Sequence, residues 1–327
     1  MVGDIMKTHA GKKIFVSVSI LFMFLCPQVL ATEYTIGLAT WSGYPHCVQG
    51  FKDALAKRGL IEGKQLTFIQ GEIGGDKVLQ RKVANDFKRQ SIDLVFSLTT
   101  SGTTIIKEVI PIETPIVFSI VTYPADSGLI ESFEYSGNNL VGTSNYVPLF
   151  HSIDLLLSVL PTTKSVAIFH RKGEPNSKIQ TANFYRYFKK NGIKVIDVTV
   201  ESVEELEVKA ITLVNEVDVF VTTTDTLIQG GGEQALIALS LTHKIPILSA
   251  NKKGIEQGAT FGVVADFYQL GKMAGEMAAH ILLDKALPES IESKLQEPPT
   301  YLFNKKSMTK LGINVPEHLP FEIKWTK

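Results

Sequence analysis

Short apolar runs rich in Val, Ile and Phe alternate with helical patterns along this chain, and this alternation constrains the fold more than any other feature. The first series starts with "YTIGLAT" at Tyr34 and continues through "QLTFIQ", "DLVFSL" and "TPIVFSIV". Strands of this kind, without regular alternation of polar and apolar residues, are typical of a parallel sheet covered by helices on both faces. The first half of the chain is therefore predicted to form a doubly wound α/β lobe.

The same order of elements begins again in the second half. "KSVAIFH", "KVIDVTV", "DVFVTTTD", "IPILSA" and "ATFGVV" are predicted strands, and Asp266-x-x-Gln269 is a capping box that opens a long helix. The predicted fold class is α/β, with two doubly wound parallel-sheet lobes joined by a multi-strand hinge. Residues 32–146 plus about 267–300 are assigned to the N-terminal lobe, and residues 147–266 plus about 301–327 to the C-terminal lobe.

The N-terminal residues have the pattern of a secretory signal peptide. Lys7, Lys12 and Lys13 precede the apolar run from Ile14 to Leu25, and small residues precede the predicted cleavage position after Ala31. The apolar run is much shorter than the roughly 20 residues that span a bilayer. Residues 1–31 are therefore predicted to be a signal peptide, and the mature protein is predicted to be periplasmic or secreted.

The two cysteines and the charge balance exclude several alternatives. Cys26 follows the bulky residues "MFL", which disfavours a lipid anchor at this position, and cleavage would leave Cys47 without a partner for an intramolecular disulfide. The 33 basic residues equal the 33 acidic residues in number. This balance gives no electrostatic attraction to nucleic acid, and none is expected as a partner.

Polar side chains follow the predicted strands, at the positions where ligands bind in open parallel sheets. The segment "GEPNS" follows "SVAIFHRK", and hydroxyl or acidic residues follow five other strands. Ser177-x-x-Gln180 also reads as a capping box, whose polar groups would only satisfy helix N–H groups. The candidate residues at these strand ends are Trp41, Ser42, Thr100, Ser101, Ser119, Glu174, Asn176, Ser177, Asp225 and Asp266.

Four segments together resemble a known family. "GEPNS" followed by Gln180, "TTTDT", "GVVADFYQLGKMAGEMAAHIL" and "NKKSMTKLGINVP" are similar to segments of the solute-binding proteins of tryptophan/tyrosine-type ABC transporters. The resemblance extends from Thr35 to Pro316. Phe267 stands where the family usually has Tyr, and Thr226 where Asn is common.

The resemblance implies a type I periplasmic-binding-protein fold, in which two α/β lobes joined by three strands close over one ligand. It implies an amino acid as the ligand, with an aromatic side chain favoured. Thr100, Ser101 and the Gly102 backbone would bind its carboxylate, Asp225 its ammonium group, and Trp41 would stack on the side chain. Carried over by position, the cleft residues are Trp41, Ser42, Thr100, Ser101, Ser119, Asn145, Glu174, Asn176, Ser177, Asp225 and Asp266.

The resemblance implies an importer component that works as a monomer with a membrane-bound ABC permease. A ligand-sensing module for a membrane receptor or histidine kinase is the alternative. An enzyme is less favoured because the sequence contains no Gly-x-Gly-x-x-Gly after the first strand, no phosphate loop and no Gly-x-Ser-x-Gly. "QGGGEQ" reads as a flexible lead into a helix, the histidines show no metal-ligand spacing, and neither a cofactor nor a metal is expected.

Overall fold

The computed structural model describes residues 1–3 and 33–326. The predicted signal peptide lies outside the described residues except for its first three, and it stays a prediction. Within the described part of the chain, no helix combines the length and the apolar character needed to cross a membrane.

The first lobe is built on a sheet of parallel strands. Its strands are β1 (Tyr34–Ala39), β2 (Leu66–Gln70), β3 (Leu94–Leu98), β4 (Ile116–Ser119), β5 (Leu140–Ser144) and, much later in the chain, β11 (Lys294–Leu295). Their spatial order is β2-β1-β3-β4-β5-β11, and all pairs are parallel.

The second lobe repeats this arrangement. Its strands are β6 (Ser165–Arg171), β7 (Lys194–Val200), β8 (Val219–Thr222), β9 (Ile247–Leu248), β10 (Phe261–Val264), β12 (Thr300–Phe303) and β13 (Ile323–Trp325). Their order is β7-β6-β8-β9-β10-β12-β13, and only the β10–β12 pair is antiparallel. The first five strands of each lobe therefore have the same order. The predicted α/β fold class with two parallel sheets is confirmed.

Helices cover both sheets. They are α1 (Pro45–Lys57), α2 (Lys77–Lys88), α3 (Thr100–Val109), α4 (Leu149–Val159), α5 (Pro175–Lys190), α6 (Val203–Thr212), α7 (Glu233–His243), α8 (Lys252–Gln257), α9 (Phe267–Asp284) and α10 (Lys305–Leu311). A π-helical turn (Ile228–Gly232) leads directly into α7, where the sequence predicted a flexible lead. A short 3-10 turn (Pro288–Ser290) follows α9.

Each sheet has an apolar core on both faces. In the first lobe, Phe96 and Val117 face the layer that contains α1 and α9, whereas Val95 and Phe118 face the layer that contains α2. Alternate residues of a strand point to opposite faces, so both sets must be apolar when both faces are covered. This explains why the strands in the sequence lack a regular alternation of polar and apolar residues.

The chain passes between the two sheets three times. It leaves the first sheet after β5, returns from β10 through Asp266 into α9, and crosses again between β11 and β12. Asp266 caps α9, because its carboxylate accepts hydrogen bonds from the N–H groups of Tyr268 and Gln269. The helix start predicted at Asp266 is confirmed.

Helix α9 packs on α1 with direct backbone contact. A Cβ on Gly271 would stand 2.0 Å from the carbonyl oxygen of Cys47, and one on Gly50 would stand 2.1 Å from the carbonyl oxygen of Tyr268. Only glycine permits an approach this close. The contact fixes α9, and the crossing that precedes it, to the first lobe.

We predict that Gly271→Ala lowers the free energy of unfolding by about 1 to 3 kcal/mol, the usual range for overpacking. Alanine normally stabilises a helix relative to glycine, so a loss here would report the backbone contact. Gly230→Ala is the control, because a Cβ there meets no atom within 4 Å. Denaturant unfolding of both variants measures the difference, and equal stabilities would contradict the prediction.

Candidate functional site

The carboxyl ends of the first lobe's strands carry strained backbone. Trp41, Tyr44, Thr99 and Ile120 have φ values of 54°, 50°, 69° and 56°, in the left-handed region. Three of them follow β1, β3 or β4 directly or within two residues. Bulky and β-branched residues rarely adopt this conformation, and such strain concentrates at ligand sites. This edge of the sheet is therefore the first candidate for a binding site.

Three buried polar atoms near this edge have no hydrogen-bond partner. They are Nε1 of Trp41, Nε2 of Gln80 and Oγ1 of Thr100. The three residues are 3%, 2% and 2% exposed. Buried polar groups are nearly always paired, so unpaired ones require an explanation.

Gly102 lies between two of these residues. A Cβ at this position would stand 3.3 Å from Cε3 of Trp41 and 3.4 Å from Nε2 of Gln80. Its N–H group donates to Oγ1 of Thr99 at 3.1 Å. The Gly102 backbone donor that the sequence assigned to the ligand is therefore already paired within the protein, which corrects that expectation.

In the second lobe, Asp225 is fully buried and organises the loop after β8. Its carboxylate accepts hydrogen bonds from the Arg171 N–H at 2.7 Å, the Thr223 hydroxyl at 2.8 Å and the Ile228 N–H at 2.8 Å. Burial raises its pKa to about 6, with a further contribution from the charge of Glu174. Asp225 thus fixes the shape of the loop after β8, and its buried carboxylate places a negative charge beneath this loop.

Glu174 lies beside Asp225 at the start of α5. Its carboxylate accepts hydrogen bonds from Nη1 of Arg171 at 3.1 Å and from the Thr226 N–H at 3.2 Å, and it also bonds the Thr226 hydroxyl. Asn176 donates from Nδ2 to the carbonyl oxygen of Thr224 at 2.9 Å. The polar corner "GEPNS" therefore holds the loop after β8 in place.

The capping box predicted at Ser177 and Gln180 is wrong. The helix begins earlier, at Pro175, because proline fits the first helical position, and Glu174 is the N-cap residue. Ser177 is fully buried and donates to the carbonyl oxygens of Arg171 and Glu174 at 3.2 Å each. Gln180 instead accepts from the Thr224 N–H and hydroxyl at 2.9 and 3.0 Å.

The two lobes meet at these strand ends. The hydroxyls of Thr122 and Thr224, from different lobes, are 3.0 Å apart, and Thr122 also donates to Oδ1 of Asn145 at 3.1 Å. Burial raises the pKa of Tyr44 above its usual range, and the charges of Glu174 and Asp225 raise it further. The acidic residues of the second lobe therefore act electrostatically on Tyr44 of the first lobe.

Four of the predicted residues have other surroundings. Ser119 is fully buried in the first lobe, where its hydroxyl pairs with Thr143 at 2.7 Å and accepts from Cys47 Sγ at 3.3 Å. Asp266 forms an ion pair with Lys252 at 2.5 Å. Ser42 is exposed and Ser101 is buried in the first turn of α3, without a side-chain hydrogen bond among the described contacts.

Two cavities lie at the crossings between the lobes, around the C-terminal strand β13. The first, of about 710 Å³, is lined by residues of α9 and of the third crossing, and the second, of about 500 Å³, by Lys252 and Asp266 among others. Both share Thr300 and Lys324. Of the predicted site residues, these cavities contain Asp266 alone.

The surroundings of Cys47 argue against nucleophilic chemistry. Burial raises the pKa of its thiol to about 12, so the thiolate does not form near neutral pH. Among residues 1–3 and 33–326, no group of three or more His, Cys, Asp or Glu side chains could hold a metal ion.

The sequence did not reveal Gln80, Tyr44, Thr122 or Thr224 as site residues. Gln80 gave one usable signal, because a polar residue stands on the face of α2 that carries Val83 and Phe87. Thr224 lies in the quoted segment "TTTDT" but was not singled out. Tyr44 and Thr122 gave no signal, since their proximity to the other lobe depends on how the two lobes meet.

Two α/β lobes of the same strand order, with polar strand ends facing each other, define a two-lobed ligand-binding protein. The profile of a family described as "ABC transporter substrate binding protein" matches residues 42–324. The chain belongs to this family. The resemblance predicted from the sequence motifs is thereby confirmed, and so is the expectation of a binding protein rather than an enzyme.

The chain is also similar to one protein in sequence and to two solved structures in fold. A "Tyrosine-binding protein" from Clostridioides difficile is 27% identical over 249 residues, which are 76% of this chain and 72% of that protein. A conserved domain protein from Vibrio cholerae has a TM-score of 0.85 at 23% identity, covering 90% of this chain and all of that one. An ABC domain from Streptococcus pneumoniae in complex with L-Trp has a TM-score of 0.81 at 24% identity, covering 88% and 97%.

A second buried carboxyl group makes the stability of the second lobe depend on pH. Glu233 accepts hydrogen bonds from Thr222 at 2.9 Å and Asn251 at 3.0 Å, and burial raises its pKa from 4.5 to about 7. The pKa of Asp225 is likewise raised, from 3.8 to about 6. The folded state therefore binds protons more tightly than the unfolded state at both positions.

We predict that the contribution of these two groups to the free energy of unfolding is largest below about pH 4, where both are protonated in the unfolded state as well, and that it falls as the pH rises from there to about 7. The total loss between pH 5 and pH 8 should be about 2 to 5 kcal/mol. Denaturant unfolding across this range measures it. Glu233→Gln keeps the shape and removes one titration, so its profile should be flatter, and a slope equal to wild type would contradict the prediction.

Proposed function

We propose that this chain is the exported substrate-binding protein of an ABC importer and that it captures an amino acid, with an aromatic side chain favoured, between its lobes. The observation that carries the proposal is that the first lobe contributes hydrogen-bond donors and the second lobe contributes carboxylates. Unpaired buried donors lie near the strand ends of the first lobe. The carboxylates of Glu174 and Asp225 in the second lobe are near enough to raise the pKa of Tyr44 of the first lobe. A zwitterion needs donors for its carboxylate and acids for its ammonium group.

The relatives support the choice of ligand. One is named for tyrosine and another was solved with L-Trp. On this proposal Trp41, Tyr44 and Thr100 line the ligand from the first lobe, with Ser42, Ser101 and Asn145 at the margin. The acidic side of the site is formed by Glu174, Asn176, Ser177 and Asp225. Ser119 and Asp266 do not contact the ligand and instead stabilise the structure around the site.

The proposal includes the domain organisation and the partner. Residues 32–146 with about 267–300 form one lobe and residues 147–266 with about 301–327 the other, following the three crossings. The lobes close on the ligand, and the closed monomer delivers it to a membrane permease, which is the partner implied by the family.

We predict that Glu174→Gln weakens binding of L-tryptophan or L-tyrosine at least tenfold, because the ammonium group loses a buried acidic partner. Glu201→Gln is the matched control, since Glu201 is an exposed acid of the same lobe that pairs with Lys172. Calorimetric titration measures both. Equal affinity of Glu174→Gln and wild type would remove Glu174 from the site, and absence of binding to the wild-type protein would contradict the proposed ligand class.

Export has a separate test. If residues 1–31 are a cleaved signal peptide, the protein recovered from the periplasm or the medium begins at Thr32. N-terminal sequencing measures this, and a retained Met1 would contradict cleavage.

A further inference from the structure

Gln80 is a polar residue on the buried face of α2. Its neighbours on this face, Val83, Ala84 and Phe87, belong to the apolar core, and Gln80 itself is 2% exposed. The Nε2 atom of its amide has no hydrogen-bond partner. An unpaired buried amide destabilises the folded state, whereas a methionine of similar size would pack there without this cost.

The amide group of Gln80 faces the Trp41 ring across Gly102. A side chain at position 102 would come within 3.4 Å of Nε2 of Gln80 and within 3.3 Å of the Trp41 ring. The absence of a side chain at Gly102 therefore keeps open the space between the amide and the ring.

Two further unpaired donors belong to residues that follow strands β1 and β3. Nε1 of Trp41 and Oγ1 of Thr100 are buried without a partner, and Thr100 is the first residue of α3. The N-terminus of α3 favours a negative charge because the helix dipole is positive there, although the Gly102 N–H is already paired with Thr99. The unpaired side-chain donors and the N-terminus of α3 therefore favour the same kind of ligand group, an anionic hydrogen-bond acceptor.

We propose that Gln80, Thr100 and Trp41 form an acceptor-binding recess beside the N-terminus of α3, and that the ligand's carboxylate occupies it with Gln80 as a donor. This inference rests on the proposed function and adds to it a specificity-determining residue, Gln80. Hydrogen bonds to a carboxylate are stronger than those between neutral groups. A ligand without a carboxylate would leave the donors unpaired, and sites of this kind reject such ligands strongly.

The test compares two probes that differ only in the carboxylate, L-tryptophan and tryptamine. Gln80→Met should weaken L-tryptophan binding at least tenfold and should reduce the preference for L-tryptophan over tryptamine, because it removes a donor that tryptamine leaves unpaired. Gln80→Glu, which places an acceptor where a donor stood, should weaken L-tryptophan binding further. Gln80→Met should not lower the free energy of unfolding of the ligand-free protein, because it removes an unpaired amide.

A pair of threonines in α3 provides an independent comparison. Thr100→Val removes an unpaired hydroxyl and should weaken L-tryptophan binding without loss of stability. Thr103→Val removes a hydroxyl that pairs with Ser97 at 3.0 Å, so it should lower stability and leave affinity unchanged. Gln90→Met, at an exposed position just past α2, is the control for the change from glutamine to methionine.

The outcomes separate the two proposals. If wild type binds L-tryptophan and Gln80→Met binds it equally well, the recess is overturned and the proposed function stands. If Gln80→Met weakens L-tryptophan and tryptamine alike, the amide contacts another part of the ligand and the assignment to the carboxylate is overturned. If wild type binds neither L-tryptophan nor L-tyrosine, the proposed ligand class fails, and the recess fails with it.

Discussion

The contact between α1 and α9 is the constraint on which the two-lobed structure depends. The chain returns from the second lobe through Asp266 and immediately enters α9, so the position of this crossing is set by where α9 packs. The backbone of α9 touches that of α1 at Gly271, where no side chain could fit. Because α1 itself begins just after Tyr44, one helix pair fixes both a crossing between the lobes and one wall of the candidate site.

The candidate site and the carboxylates buried near it destabilise the folded state in two separate ways. Four residues of the first lobe, three at strand ends and Tyr44 at the start of α1, have left-handed backbone, which costs of order 1–3 kcal/mol each. The second lobe buries the carboxylates of Asp225 and Glu233, whose raised pKa values reflect the cost of desolvating their charges. The large apolar cores on both faces of each sheet supply the stability that offsets these costs.

The sequence predicted what depends on local chemistry. The helix start at Asp266 is correct because a cap is a contact within one turn, and the Asp266 side chain accepts from the N–H groups of Tyr268 and Gln269. The fold class followed from the repeated strands. Ser177 was misread as a cap because Pro175, two residues earlier, starts the helix more effectively.

The site residues that could not be predicted from the sequence depend on contacts between distant segments. Gln80 became a candidate only when α2 was seen to bury it beside Gly102, which lies in another helix. Tyr44 and Thr224 belong to different lobes, and no pattern within either half of the chain indicates that they approach the same region. The hydroxyl of Ser119 stands at a strand end, as predicted, yet Thr143 and Cys47 of the same lobe already occupy it.

The hydrogen bond between Thr122 and Thr224 has a kinetic consequence. The Thr122 hydroxyl has one proton and two acceptors within reach, Thr224 at 3.0 Å and Asn145 at 3.1 Å. If the lobes separate to admit a ligand, as the proposed function requires, the proton can turn to Asn145 and the Thr122 hydroxyl stays paired. Losing the bond to Thr224 then costs no more than about 1 kcal/mol, and it sets almost no barrier to opening. On the proposed function, this hydrogen bond would therefore not by itself slow the release of a ligand.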